Sequence, residues 1–128
     1  MTIAFIDTKK REDFSQFKEM FDFIENYMGY LPNAYLLMAE NEALIKSFSD
    51  LTNAIFLSKN IDAGTKQLIA LASSLSSGCK YCQSHTAHGA ERSGISIKKI
   101  SDILNYSKSS LFDDCLLYTS DAADDVNG

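Results

Sequence analysis

Cys79-Lys80-Tyr81-Cys82-Gln83-Ser84-His85-Thr86-Ala87-His88 sets two cysteines three residues apart and a histidine three residues after the second. In a helix, residues i and i+3 share one face, so Cys79, Cys82 and His85 stack as thiol, thiol and base. That is the spacing of a redox site. A Cys-x-x-Cys pair also occurs in thioredoxin folds, where it belongs to a βαβ unit. No strand pattern precedes Cys79, so a helical fold is expected instead.

The segments on either side read as helices. Before the cysteines, Asp62 caps a helix that is apolar on nearly all sides from Leu68 to Leu75, as suits a core or a subunit interface; Gly78 interrupts it. The cysteine helix runs from about Cys79 to Ser93 and stops at Gly94, and Ser96 caps the next, which carries Ile97, Ile100, Ile103 and Leu104. Nearer the N-terminus, Phe14, Phe17, Phe21, Ile24 and Met28 advance by three and four, which predicts one helix over 11–28 ended by Gly29. Pro32 starts a short helix over about 33–39. Asn41 caps a third, with Leu44, Phe48, Leu51 and Ile55 as its stripe, ending near Lys59-Asn60. A last helix is expected from Phe112 to about Ala123. With no strand alternation, repeat or linker, the expected fold is all-α, a single domain over residues 1–128 built from about six to seven helices packed as hairpins.

Bulk properties narrow the function. A chain of 128 residues with 45% hydrophobic residues, 6 glycines and 1 proline suits a compact helical protein, which buries roughly two thirds of its surface without a disulfide scaffold. Net charge is −5, with no basic stripe, which argues against nucleic acid as a partner. No apolar run approaches the ~18 residues of a membrane span, and residues 1–10 lack the order of a signal peptide, so a cytoplasmic protein without a membrane partner is expected. In that reducing compartment a Cys-x-x-Cys pair points to catalysis or metal binding and away from a structural staple.

Competing readings of the pair fare less well. Cys79, Cys82, His85 and His88 are all competent zinc ligands, but four ligands spread over three turns of one helix cannot converge on one tetrahedral ion, so no metal is expected. Two buried cysteines packed as small hydrophobes leave the adjacent histidine unexplained. Cys115, beside Leu116 and Leu117, reads as core. A cysteine in the first turn of a helix sees the positive end of the helix dipole, which favours the thiolate that attacks. His85 can take a proton from Cys82 or pair with its thiolate, and His88, six residues after Cys82, lies about 120° round the helix from it.

Gly29-Tyr30-Leu31-Pro32-Asn33-Ala34 with Met38-Ala39, Lys66-Gln67-Leu68-Ile69, Gly78-Cys79-Lys80-Tyr81-Cys82 through His85-Thr86, and Gly94 with Ser96 together resemble the carboxymuconolactone decarboxylase superfamily, in its alkylhydroperoxidase-like branch. The resemblance implies an all-helical protomer in a homo-oligomer, often a trimer or hexamer, with thiol peroxidase or disulfide oxidoreductase chemistry. It implies that Cys82 attacks peroxide, Cys79 resolves the product and His85 serves the proton relay. The superfamily's true lactone decarboxylases lack the cysteine pair. Where the peroxidase branch has a relay glutamate this chain has Gln67, whose amide can hold a water or thiol but cannot carry a proton. The familiar relay histidine would fall at Thr86; His85 is rotated about 60° one way where Thr86 is about 40° the other. Tyr81 and His88 are further candidates beside the relay.

The expected function is antioxidant reduction of a hydroperoxide through the cysteine pair, an external dithiol of thioredoxin-like or lipoyl type restoring it, with no organic cofactor. The alternative is a redox-responsive adaptor whose disulfide changes a partner contact without significant turnover.

Overall fold

A computed structural model describes residue 7 and residues 9–112. Every regular element among them is helical: a 3-10 stretch Arg11–Phe17, then α1 (Lys18–Met28), α2 (Asn33–Met38), α3 (Glu42–Phe56), α4 (Ala63–Ser76), α5 (Lys80–Arg92), α6 (Ile97–Ser101) and a 3-10 turn Ile103–Asn105. The helix expected over 112–123 and Cys115 lie outside the described residues. The chain divides into two compact units, Met1–Ile55 and Phe56–Gly128. No helix among the described residues is long and apolar enough to cross a membrane.

In the first unit the single helix expected over 11–28 is two. Phe14 takes φ −118°, ψ 48°, which breaks the ladder, so a 3-10 stretch precedes α1. The stripe survives the break: Phe14, Phe17, Phe21 and Ile24 are buried together with Tyr35, Ala39 and Ile45. Gly29, at φ 84°, ends α1 in the left-handed conformation that favours glycine, its N–H donating to the Glu25 carbonyl at 2.7 Å. Pro32 then caps α2, and the Asn41 side chain accepts the Leu44 N–H at 3.1 Å to start α3.

Helix α3 corrects the sequence reading. It ends at Phe56, three residues early, and its apolar stripe of Leu44, Phe48, Leu51 and Ile55 faces outward, while Ile45 and Ser49 are the buried residues. Periodicity shows that a face is apolar; it does not say what covers it.

The second unit is organised by α4 and α5. Asp62 caps α4 by accepting the Thr65 N–H at 2.9 Å and the Thr65 hydroxyl at 2.6 Å. Leu68, Leu71 and Ala72 of α4 pack with Ala90 of α5, Ile103 and Phe112. The two helices approach closely where side chains are absent. A β-carbon at Gly89 would lie 2.6 Å from Gln67 Cδ, and one at Gly64 would lie 2.6 Å from Cδ1 of Ile95, in the turn after α5. Ser96 caps α6 as expected, its Oγ accepting the Lys99 N–H at 3.2 Å. Of the residues expected on that helix's inner face only Ile103 is fully buried; Ile97 and Leu104 are largely exposed, because α6 ends at Ser101 and the chain turns before a second face forms.

Candidate active site

The reversal between α4 and α5 builds the site. Gly78 adopts φ 70°, open to glycine at no steric cost, and its N–H donates to the Leu75 carbonyl at 3.1 Å. The next N–H, that of Cys79, donates to the Ser74 carbonyl at 3.1 Å, and the Gln83 side-chain amide donates to the same oxygen at the same distance. One carbonyl at the end of α4 thus clamps the start of α5.

Held there, Cys79 is the N-cap of α5, outside the helix proper, with φ −74° and ψ 95°. Its sulfur accepts the Cys82 N–H at 3.3 Å. Serine, aspartate or asparagine oxygen usually does this work, because the first N–H groups of a helix have no partner within it. A sulfur in that place is stabilised as the anion. Accordingly the Cys79 thiol is held below the ordinary cysteine range, first by the hydrogen bond from the Cys82 thiol, then by the Cys82 N–H. The Cys82 thiol moves the opposite way, raised first by its bond to Cys79 and then by burial. Both cysteines are free and partly buried. The two thiols are coupled, and the cap favours negative charge at Cys79 over Cys82.

His85 lies one turn after Cys82. Its pKa is lowered, chiefly by burial and secondarily by the nearby His88, so it is a neutral imidazole at pH 7. The Tyr81 ring, half exposed, meets it edge-on, with centroids 4.1 Å apart at 64°. Neutral and flanked by an aromatic ring, His85 has the form of a base rather than of a fixed cation. Thr86, where the relay histidine of the resembled branch would fall, is occupied otherwise: its hydroxyl donates to the Cys82 carbonyl at 2.8 Å.

Gln67 is buried, but against Gly89, seven residues and about two turns beyond Cys82. The arrangement therefore brings Cys79 to Cys82 and Tyr81 to His85, and places Gln67 in the α4–α5 contact. Sequence reasoning missed Ser74, Gln83 and Gly89. Of these, Gln83 lies one turn after Cys79, and a glycine inside a helical pattern is itself a sign of close approach.

A cavity of about 370 Å³ lies on another flank of α5, lined by Leu71 and Leu75 of α4, Gln83, Ser84 and Ala87 of α5, and Ile103. Its lining on α5 lies about 100–160° away from His85 around the helix axis. Among the described residues no group of three or more His, Cys, Asp or Glu side chains could hold a metal ion.

Comparison with known proteins agrees with the helical fold. No curated protein matches the sequence. Two solved structures of the debrominase Bmp8 are similar to it. An alanine variant in complex with 2,3,4-tribromopyrrole is 28% identical with a TM-score of 0.86, and the apo form is 29% identical with a TM-score of 0.85. Each match covers 94% of this chain and 65% of the other, so the chain spans just under two thirds of the solved proteins' length. The profile of the carboxymuconolactone decarboxylase family matches residues 42–124, which take in α3 to α6 and the whole cysteine site, and the chain belongs to that family.

Proposed function

We propose that the chain is a dithiol reductase that removes hydroperoxides in the cytoplasm, with Cys79 as the attacking thiolate. The observation that carries this reading is the N-cap: Cys79 sulfur accepts the Cys82 N–H at 3.3 Å, a place that favours the thiolate, and the Cys79 thiol is held below the ordinary cysteine range while that of Cys82 is raised. This reverses the order the resemblance implies, in which Cys82 attacks.

The chemistry balances as follows. Cys79 thiolate attacks the terminal oxygen of the hydroperoxide; the O–O bond breaks, leaving a Cys79 sulfenic acid and an alkoxide. The Cys82 proton passes by way of neutral His85 to the alkoxide, giving the alcohol. Cys82 thiolate then attacks the Cys79 sulfur and expels hydroxide, which takes a proton from solvent to become water. An external dithiol, thioredoxin-like or lipoyl-bearing, accepts the disulfide and restores both thiols.

A second reading rests on the likeness to debrominase structures over 94% of the chain. The same thiolate attacking a carbon-bound bromine forms an S–Br bond as the C–Br bond breaks. The carbanion takes the Cys82 proton, and Cys82 thiolate displaces bromide to give the same disulfide. The adaptor alternative predicts oxidation without turnover.

Steady-state assays with an organic hydroperoxide or a brominated pyrrole and a dithiol donor separate these readings. Catalytic hydroperoxide loss supports the first, catalytic bromide release the second, and a single stoichiometric oxidation the adaptor. Trapping then fixes the order of the thiols. With Cys79 attacking, Cys82→Ser leaves a trappable sulfenic acid at Cys79 after one equivalent of peroxide, and Cys79→Ser leaves none. The reverse pattern overturns the assignment.

A further inference from the structure

Cys79 belongs to the ends of two helices. At the end of α4 the Gly78 N–H donates to the Leu75 carbonyl and the Cys79 N–H to the Ser74 carbonyl, both at 3.1 Å, the paired ending that a glycine at positive φ permits. At the start of α5 the same residue is the N-cap, its sulfur accepting the Cys82 N–H. Gln83 is bonded to both ends. Its own N–H donates to the Cys79 carbonyl at 3.0 Å, closing the first turn of α5, and its side-chain amide donates to the Ser74 carbonyl at 3.1 Å. Ser74, Cys79 and Gln83 thus form a closed triangle of three hydrogen bonds, two made by backbone alone and one by a side chain.

We propose that Gln83 is a positioning residue for Cys79: its amide locks the start of α5 to the end of α4 and so holds the Cys79 sulfur over the first N–H groups of α5. The tie rests on geometry alone; its place in catalysis rests on the proposed reading of Cys79 as the attacking thiolate. The groups that lower the Cys79 pKa are, in order, the Cys82 thiol, the Cys82 N–H and the Tyr81 N–H, with burial opposing the two N–H groups. All three sit on the first turn of α5. A displacement of that turn against residue 79 therefore weakens every one of them, because hydrogen bonds weaken steeply as they lengthen and bend. Gln83, one turn beyond Cys79, acts on the sulfur through the position of that turn.

The residue type favours a tie over a solvated surface amide. Gln83 is partly buried, and its neighbours around the cavity of about 370 Å³ include Leu71, Leu75, Ala87 and Ile103, a lining that an apolar side chain of the same length would suit. An amide in such a wall is costly unless its polar atoms are bonded, and the Ser74 carbonyl meets the donor. That carbonyl is itself well held: Ser74 is buried, and its Oγ donates to the Ala70 carbonyl at 2.6 Å. Ser77 Oγ donates to the Ser74 carbonyl as well, at 3.2 Å, but Ser77 caps the end of α4, so that bond does not reach α5. The two donors are therefore separable by substitution.

Alkylation of the fully reduced chain by iodoacetamide over a pH series, with peptide mapping to follow Cys79 alone, tests the tie without any substrate. Gln83→Met keeps the length and the helix propensity and removes the donor. It should keep the wild-type helicity, raise the Cys79 midpoint by about 0.5–1 pH unit and slow alkylation at pH 7 about 3–10-fold. Gln83→Asn, whose amide falls one methylene short of the carbonyl, should raise the midpoint as well. Ser77→Ala, which takes a donor from the same carbonyl without touching α5, should leave it in place. A merely structural role for Gln83 would lower Tm and leave the midpoint unmoved. An unmoved midpoint in Gln83→Met overturns the proposal, as does an equal shift in Ser77→Ala; if Gln83→Met loses helicity, Gln83→Leu takes its place in the same comparison. Sulfenic acid trapping keeps the two claims apart. A raised midpoint with the sulfenic acid at Cys82 upholds the tie and refutes attack by Cys79, whereas trapping at Cys79 with an unmoved midpoint refutes the tie and upholds the attack.

Discussion

Gly89→Ala isolates the contact that sets the spacing of α4 and α5. Two effects oppose each other. Replacing a glycine inside a helix by alanine gains about 1 kcal/mol in propensity. Against that, the new methyl carbon would stand 2.6 Å from Gln67 Cδ and 2.7 Å from both its Nε2 and Oε1, far inside ordinary contact. Overpacking of a buried site costs about 1–3 kcal/mol, and Gln67, only 4% exposed, has little room to turn away. The net expectation is a loss of up to about 2 kcal/mol, which for a chain of this size is a fall of up to roughly 6–10 °C in Tm. Removing the amide should reverse the sign. In a Gln67→Ala background the clash is gone, so Gly89→Ala should raise Tm relative to Gln67→Ala alone, and the double-mutant coupling should be about 1–3 kcal/mol. Thermal unfolding of the four proteins by circular dichroism measures it. Stabilisation by Gly89→Ala in both backgrounds would refute the reasoning, since it would show that the Gln67 amide is not held against α5.

Further outcomes follow from the site. Alkylation by iodoacetamide should titrate first at Cys79, its rate rising with pH at a midpoint below the ~8.5 of an unperturbed thiol, while Cys82 reacts only at higher pH; peptide mapping distinguishes the two. Cys79→Ser should keep the helix cap and melt near the wild-type temperature, whereas Cys79→Ala should melt lower because the first N–H groups of α5 lose their acceptor. Turnover should fall as pH drops through the depressed pKa of His85, and His85→Ala should flatten that acid limb. Gln67→Glu puts a carboxyl in a buried place, and the loss of water around the charged form raises its folded-state pKa. Its stability, matched to the wild type most closely below pH ~4, should therefore decline as pH rises through that raised value, as urea unfolding at several pH values would show.

Much of this was legible in the residues, and the parts that were not share a cause. Helix ends were readable because capping is local: Asn41, Asp62 and Ser96 accept from N–H groups three residues on, and Gly29 and Gly94 take the positive φ that stops a helix. The placement of the cysteines at the start of a helix was readable for the same reason. The outward face of α3 was not, since a stripe against a core and a stripe that faces outward have the same period. Nor was the break at Phe14, which leaves the stripe of Phe14 and Phe17 buried and so has no signature in the periodicity. Gln67 illustrates the third limit. The resemblance sets it where a relay glutamate would stand, and nothing in the sequence showed that its side chain lies against the bare backbone of Gly89.

The division of labour between the two cysteines rests on backbone geometry more than on residue type. Both are cysteines three residues apart, yet one caps the helix and the other lies within it, so their affinities for a proton move in opposite directions. A helix that began one residue earlier would take Cys79 inside and remove its access to the Cys82 N–H. Gly78 prevents this, because its left-handed backbone and the two donors converging on the Ser74 carbonyl fix where α5 begins. On the proposed reading the pair supplies a nucleophile and a resolving thiol with neutral His85 as base, and nothing in those roles selects oxygen over bromine as the atom attacked. Both reactions pass two electrons from the pair to an electrophile and finish at the same disulfide. Discrimination between them must therefore come from surfaces around the thiols, of which the half-exposed Tyr81 ring beside His85 is the aromatic element among the described residues on that face of α5. A planar halogenated ring could stack on it and a simple alkyl hydroperoxide could not. Tyr81→Ala should thus depress bromide release far more than peroxide consumption if the ring binds substrate, and should lower both together if it serves only to orient His85.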